Sequence, residues 1–110
     1  MEIDLRKHDK DVLIKLAGRL DMNTSPDLRK TALTLCTRGR CRNLTVDLAG
    51  VPFIDTSGLA TLLEILVAAK EQGTQLTLSG LNEKVRYLID VNGVAGFFRI
   101  EDTAKEILNR

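Results

Sequence analysis

The sequence predicts an α/β protein in which one mixed β-sheet carries amphipathic helices mainly on one face. Two observations predict this class. Short strands of alternating apolar residues are separated by segments of helical period, in the order ββαβαβαβα. The strands are also too apolar to face water, so helices have to cover them. A chain of 110 residues is long enough to bury a core, and we expect a single domain over residues 1–110.

The first two strands form a predicted β-hairpin. A polar turn at residues 7–11 separates two stretches in which apolar and polar residues alternate. The apolar positions are Ile3, Leu5, Val12, Ile14 and Leu16.

The first helix is predicted to start at Ser25, Pro26 and Asp27. Proline suits the first helical position, and a carboxylate there favours the positive end of the helix dipole. We expect the helix to end before Gly39. Its inward residues would be Leu28, Ala32, Leu35 and Cys36.

A central buried strand precedes the second helix. Leu44, Val46 and Leu48 alternate with polar residues, and Gly50 and Pro52 then stop the strand pairing. From residue 59 the period becomes helical, with apolar residues at Leu59, Leu62, Leu63 and Leu66. This helix is predicted to begin near Thr56 or Ser57, with Ser57 as its N-cap.

The remaining elements repeat the pattern of strand and helix. Gly73 ends the second helix, a short strand follows, Asn82 caps a third helix, and Gly93 and Gly96 break it. The strand contains Leu76 and Leu78, and the third helix contains Val85, Leu88 and Ile89. Residues 97–100 are predicted to add a last strand, and Thr103 with Glu106 is a capping box for a final helix.

The charge pattern argues against two classes of partner. Lys and Arg number 16 against 15 Asp and Glu, without a basic stripe interleaved with aromatic residues, so no nucleic acid is expected as a partner. No apolar run is long enough to cross a bilayer, and residues 1–4 do not resemble a signal peptide. We therefore expect a cytoplasmic protein without direct membrane insertion.

The residues for catalysis or metal binding are sparse. Cys36 and Cys41 are expected to be free thiols, and with His8 as the only histidine a zinc site is not expected. His8 falls in the predicted hairpin turn, where it cannot serve as a base for Ser57. The chain has neither the Gly-x-Ser-x-Gly sequence of hydrolases nor a glycine-rich phosphate loop, and Asp-Thr-Ser-Gly departs from the Asp-Thr-Gly of aspartic proteases. We expect no cofactor, no metal and no catalytic residue.

Two motifs resemble those of a known family. Residues 47–59, DLAGVPFIDTSGL, resemble the signature of bacterial anti-sigma factor antagonists of the STAS family, named for sulfate transporters and anti-sigma factor antagonists. Residues 18–21, Gly-Arg-Leu-Asp, match a Gly-x-Leu-Asp turn that precedes the first helix in that family. Together with the order of elements, the resemblance covers essentially the whole chain and implies the STAS fold.

The resemblance also implies a phosphorylation switch. Ser57 matches the serine that is phosphorylated by a partner serine kinase, which is also the anti-sigma factor. The unphosphorylated chain would bind that kinase and release the sigma factor, and a PP2C-type phosphoserine phosphatase would reset the switch. The implied partner-binding residues are Asp21, Asn23, Asp55, Thr56, Ser57 and Gly58.

All of these residues except Asn23 also have a second interpretation. Ser57 would simply cap its helix, and Thr56, the rival phosphate acceptor, would be a contact residue or a cap. Asp55 and Asp21 would be turn carboxylates that accept bonds from nearby N–H groups. Gly58 would either let a partner approach the helix start or satisfy a steric need within the fold.

A second function stays open within the same family. Related STAS domains scaffold stress-signalling assemblies or act as regulatory subunits of membrane transporters, and fold alone does not choose between these roles. A large apolar patch away from Ser57 would favour a permanent assembly subunit. Residues 93–98 are the candidate segment, unless Phe97 and Phe98 merely close the core.

Overall fold

The computed structural model describes residues 1–39 and 41–102, and these form a five-stranded sheet with three α-helices. The strands are β1 (Glu2–His8), β2 (Asp11–Ala17), β3 (Asn43–Gly50), β4 (Gln75–Ser79) and β5 (Arg99–Glu101). The helices are α1 (Ser25–Arg38), α2 (Thr56–Glu71) and α3 (Glu83–Val91), followed by a 3₁₀ turn at Ala95–Phe97.

The strands follow one another across the sheet in the order β1-β2-β3-β4-β5. β1 pairs antiparallel with β2, as the predicted hairpin requires, and every later neighbour is parallel. From β2 onwards, each new strand is added on the same side of the strand before it. One α-helix connects each of these parallel pairs. Because such crossovers are right-handed, successive helices fall on the same face of the sheet.

One continuous apolar core lies between the sheet and the helices. Ile14, Val46 and Leu78 stand side by side in the register of three neighbouring strands, and all three are fully buried. The buried residues of the three helices belong to the same core cluster. This arrangement confirms the predicted mixed sheet with helices mainly on one face.

The local sequence predicts where most helices begin and end. The Asn82 side chain accepts a bond from the Val85 N–H (2.8 Å), which confirms it as the cap of α3. The first helix begins at Ser25, so Pro26 occupies the second helical position, one residue later than predicted. Gly73, with φ of +72°, follows the end of α2 as expected.

The last strand lies later than predicted. The sequence predicts this strand over residues 97–100, but Phe97 closes the 3₁₀ turn through a bond from its N–H to the Val94 carbonyl (3.0 Å), and β5 begins at Arg99. Phe98 is buried in the core, whereas Phe97 is 60% exposed. The capping box of Thr103 and Glu106 lies outside the described residues.

Candidate functional site

Two loops meet at the carboxyl ends of β2 and β3. The Leu20 N–H donates to the Phe53 carbonyl (3.0 Å), and the Asp55 N–H donates to the Leu20 carbonyl (3.2 Å). These bonds form a short parallel bridge between Leu20 and Ile54. The loop before α1 and the loop before α2 are therefore held together as one backbone unit, and this unit brings the two sequence motifs into contact.

Asp55 caps α2 and ties the two loops together. Its Oδ1 accepts a bond from the Gly58 N–H (2.9 Å), and its Oδ2 accepts one from the Met22 N–H (3.2 Å). The backbone at Asp55 is extended, as an N-cap requires. The prediction that Ser57 is the cap is wrong, because the aspartate two residues earlier already satisfies the helix N–H group that a cap would bind.

Ser57 occupies the second position of α2 and is partly exposed, beside the exposed Thr56. Among the described residues, its hydroxyl has no hydrogen-bond partner. The backbone N–H groups of Thr56 and Ser57 belong to the first turn and have no intrahelical carbonyl to bind. A partly exposed hydroxyl therefore lies beside free donors at the positive end of a helix dipole.

Asp21 organises the loop before α1. Its Oδ1 accepts bonds from the N–H groups of Asn23 (2.9 Å) and Thr24 (3.2 Å) and from the Thr24 hydroxyl (3.3 Å). This is the turn role that the sequence left open. Partial burial of the Asp21 carboxyl raises its pKa, but these bonds and the nearby Arg19 guanidinium outweigh burial and hold the pKa below its usual range. Asn23 is exposed at the loop surface.

Gly58 is buried and answers a steric need of the fold. A Cβ atom there would lie 2.6 Å from the Leu20 carbonyl oxygen and 2.7 Å from Cγ1 of Ile54. Both distances are shorter than real contacts allow. Gly58 therefore lets the two loops pack against each other, which is the steric alternative that the sequence left open, and its place in the partner-binding set stays a prediction.

Three exposed side chains beside the site were missed by sequence reasoning. Arg19 lies over the ring of Phe53, with 4.3 Å between the guanidinium carbon and the ring centroid. Phe53 is 39% exposed, and Met22 is 69% exposed. The available signal was the presence of large apolar residues in segments otherwise rich in turn residues.

The histidine and the two cysteines lie away from Ser57. His8 lies at the opposite end of β2 from Ser57. Cys36 and Cys41 are free thiols, as expected, and both are buried; burial raises the pKa of Cys41 to about 11. Within residues 1–39 and 41–102, no group of His, Cys, Asp and Glu is arranged to hold a metal ion. Among the helices described, none combines the length and the hydropathy that a membrane-spanning segment requires.

The chain is similar in sequence and in structure to known anti-sigma factor antagonists. The chain is 28% identical over 94 residues to the anti-sigma-B factor antagonist of Bacillus subtilis, covering 86% of this chain and 84% of that protein. A putative anti-sigma factor antagonist from Thermotoga maritima has a similar structure, with a TM-score of 0.84 and 20% identity, over 97% of this chain and 92% of that one.

The Bacillus antagonist SpoIIAA resembles this chain in both of its forms. Its unphosphorylated form matches with a TM-score of 0.77 and 18% identity, over 96% of this chain and 92% of that one. Its phosphorylated form matches with the same TM-score and 19% identity, over 96% and 94%. The family model described as the STAS domain matches residues 2–107, nearly the whole sequence, and the chain therefore belongs to the STAS domain family.

Proposed function

We propose that this chain is an anti-sigma factor antagonist controlled by phosphorylation of Ser57. In its unphosphorylated form it binds an anti-sigma factor that is also a serine kinase, and the sigma factor is released. A PP2C-type phosphatase removes the phosphate. The chain is then a substrate and a binding module, and it performs no catalysis itself. The names of its relatives support this role, and the observation that carries it is the partly exposed Ser57 hydroxyl at the start of α2, which has no hydrogen-bond partner in the part of the chain that the structure describes.

A phosphate on Ser57 is compatible with the local structure. Backbone N–H groups at a helix start and the positive end of the dipole stabilise an anion. The bond from Gly58 to Asp55 holds the helix start independently of Ser57. The likeness to both forms of SpoIIAA supports a switch in which the fold is retained.

The same phosphate would oppose partner binding. It adds nearly two negative charges beside Asp55, in a loop unit that already contains the low-pKa carboxylate of Asp21. A partner that lies flat on the helix start would meet both this charge and three added oxygens. A penalty of about 3 kcal/mol corresponds to roughly a hundredfold loss of affinity.

The test compares substitutions at Ser57 and Thr56. We expect Ser57→Ala to bind the purified anti-sigma factor of the source organism like the wild-type chain and to take up no phosphate. Ser57→Asp should bind at least tenfold more weakly, because its carboxylate adds part of the charge of a phosphate. Titration calorimetry measures the affinities, and mass spectrometry locates the phosphate.

The matched control is Thr56→Ala, which removes the neighbouring hydroxyl and should still be phosphorylated on Ser57. Equal affinity of Ser57→Ala and Ser57→Asp would contradict the switch. Phosphate found on Thr56 in the wild-type chain would move the acceptor by one residue.

One observation favours the second candidate function, a scaffold or transporter-associated STAS subunit. An apolar groove of about 530 Å³ lies between α1 and α2 and extends from Ala60 to Glu71, well beyond the first turn of α2. Its other lining residues are Leu33, Leu63, Glu64, Val67 and Ala68. A stable complex through this groove that is unaffected by Ser57→Asp would support an assembly subunit instead of a switch.

A further inference from the structure

The three side chains that sequence reasoning missed are all exposed on the two joined loops, and we call them the Met22 patch, defined as Arg19, Met22 and Phe53. Met22, at 69%, is the most exposed large apolar side chain among the described residues. Phe53 is 39% exposed, and its ring carries the Arg19 guanidinium at 4.3 Å. Contiguous exposed apolar surface is typical of interaction sites.

The backbone beneath the patch is fixed. Phe53 and Leu20 are joined by the bond between the two loops, and the Met22 N–H is bound by the Asp55 carboxylate. The Arg19 guanidinium contacts both the Phe53 ring and the Asp21 carboxylate. The distance from Arg19 Nε to Asp21 Oδ2 is 3.6 Å. A partner would therefore meet side chains whose supporting loops are already ordered, which lowers the entropy cost of binding.

The patch is adjacent to the proposed phosphorylation site. The same carboxylate that caps the helix of Ser57 holds Met22, and Phe53 lies two residues before that carboxylate in the chain. A protein surface that covers Ser57 would therefore also reach the patch. This continuity separates the Met22 patch from other exposed apolar residues, such as Val91 at the far end of α3.

The composition of the patch indicates what covers it. Aromatic residues, Met and Arg are enriched at the centres of protein interfaces. The Met22 side chain is flexible and adapts to an apolar pocket. At 3.6 Å the Arg19 and Asp21 contact is a charge contact, and among the described residues the Arg19 guanidinium makes no hydrogen bond. Its donors fit a carboxylate of a partner.

We propose that Arg19, Met22 and Phe53 anchor the anti-sigma factor, which covers them with apolar side chains and one carboxylate. This inference rests on the proposed function and names the contact surface that accompanies Ser57. The patch supplies affinity in the unphosphorylated form, and Ser57 supplies the control. Phosphorylation of Ser57 places charge beside the Met22 patch and does not change the three anchoring residues.

The experiment measures the affinity of full-length variants for the purified anti-sigma factor of the source organism by titration calorimetry. We expect Met22→Ala and Phe53→Ala to weaken binding at least tenfold each, and Arg19→Glu to weaken it more strongly through charge repulsion. Arg19→Lys, which keeps the charge but loses the planar stacking group, should fall between wild type and Arg19→Glu. Val91→Ala is the matched control and should bind within twofold of wild type.

The outcomes separate the anchor from the switch. If Ser57→Asp releases the partner while the Met22, Phe53 and Arg19 variants keep wild-type affinity, the anchor is overturned and the switch stands. If the wild-type chain does not bind, both are overturned. Met22 is exposed, and Arg19→Lys keeps the positive charge beside Asp21, so Met22→Ala and Arg19→Lys should keep the wild-type melting temperature, and weakened binding by these two variants alone is enough to support the anchor.

Discussion

The carboxylate of Asp55 binds backbone groups that lie on both sides of the site. One oxygen satisfies the start of α2, and the other holds the loop before α1 through Met22. Because this single side chain performs the capping, the Ser57 hydroxyl is left without a structural bond among the described residues. A residue that carries a reversible modification needs this independence, since a group used for capping would destabilise the helix whenever it was modified.

Gly58 offers a direct test of the contact between the two loops. Gly58→Ala places a methyl group 2.6 Å from the Leu20 carbonyl oxygen, and a backbone atom in a bonded loop cannot move aside easily. We expect the free energy of unfolding to fall by about 1–3 kcal/mol, measured by urea denaturation. Gly96→Ala is the control, because nothing lies within 4 Å of its added methyl group, and it should change stability little. Equal stability of both variants would contradict the tight packing at Gly58.

Asp21 predicts a pH dependence of stability. Its pKa is lower in the folded chain than in the unfolded chain, so the carboxylate stabilises the fold above its unfolded pKa. This contribution is lost as the pH falls through the lower, folded-state pKa. Asp21→Asn should therefore be less stable than wild type at pH 7, and the difference should shrink on acidification below about pH 4. Urea denaturation across this range measures it, and a difference that grows on acidification would contradict the assignment.

At the scale of the elements, β4 contains a buried hydroxyl without a partner. Ser79 is fully buried on the face of the sheet opposite the apolar core, and its Oγ has no hydrogen bond among the described residues. Thr74, just before the strand, is also buried, but its hydroxyl donates to the Cys41 carbonyl (2.6 Å). Burying a polar group without a bond is unfavourable, whereas burying a bonded one is not.

These two hydroxyls predict opposite effects. Ser79→Ala should leave the free energy of unfolding unchanged or raise it by about 1 kcal/mol, because it removes an unsatisfied polar atom. Thr74→Val, of nearly equal volume, should lower it by about 1 kcal/mol or more, since it leaves the Cys41 carbonyl unpaired. Thermal and urea denaturation of both variants provide the comparison. Clear destabilisation by Ser79→Ala would show that its hydroxyl has a partner.

At the scale of the whole molecule, the proposed switch predicts that phosphorylation leaves the fold intact. Phosphoserine incorporated at position 57 should change the free energy of unfolding by about 1 kcal/mol or less, because attraction to the helix dipole offsets repulsion by Asp55. Changes in amide chemical shifts should be confined to residues near 19–24 and 53–60. Circular dichroism and NMR of the modified chain test this. Widespread shifts in β4 and β5 would indicate a switch that rearranges the sheet.

Much of the fold could be predicted from the sequence because its signals are local. The alternation of Leu44, Val46 and Leu48 and the helical period after Leu59 directly reflect which side chains face the core. The cap at Asn82 acts within three residues. The two wrong predictions concern segments in which the local sequence is compatible with two different structures. Ser57 and Asp55 are both good caps, and a strand and a 3₁₀ turn both suit the apolar residues near Phe97.

The sequence by itself determined the order of elements, the buried faces and the motif that places this chain in its family, because these depend on periodicity and on short-range capping. The tertiary structure alone decided which loops meet. The bond between Met22 and Asp55 joins residues 33 positions apart, and it exists only because β2 and β3 pair in parallel and end at the same edge of the sheet. The steric need for Gly58 and the exposed Met22 patch follow from that contact, which no local pattern specifies.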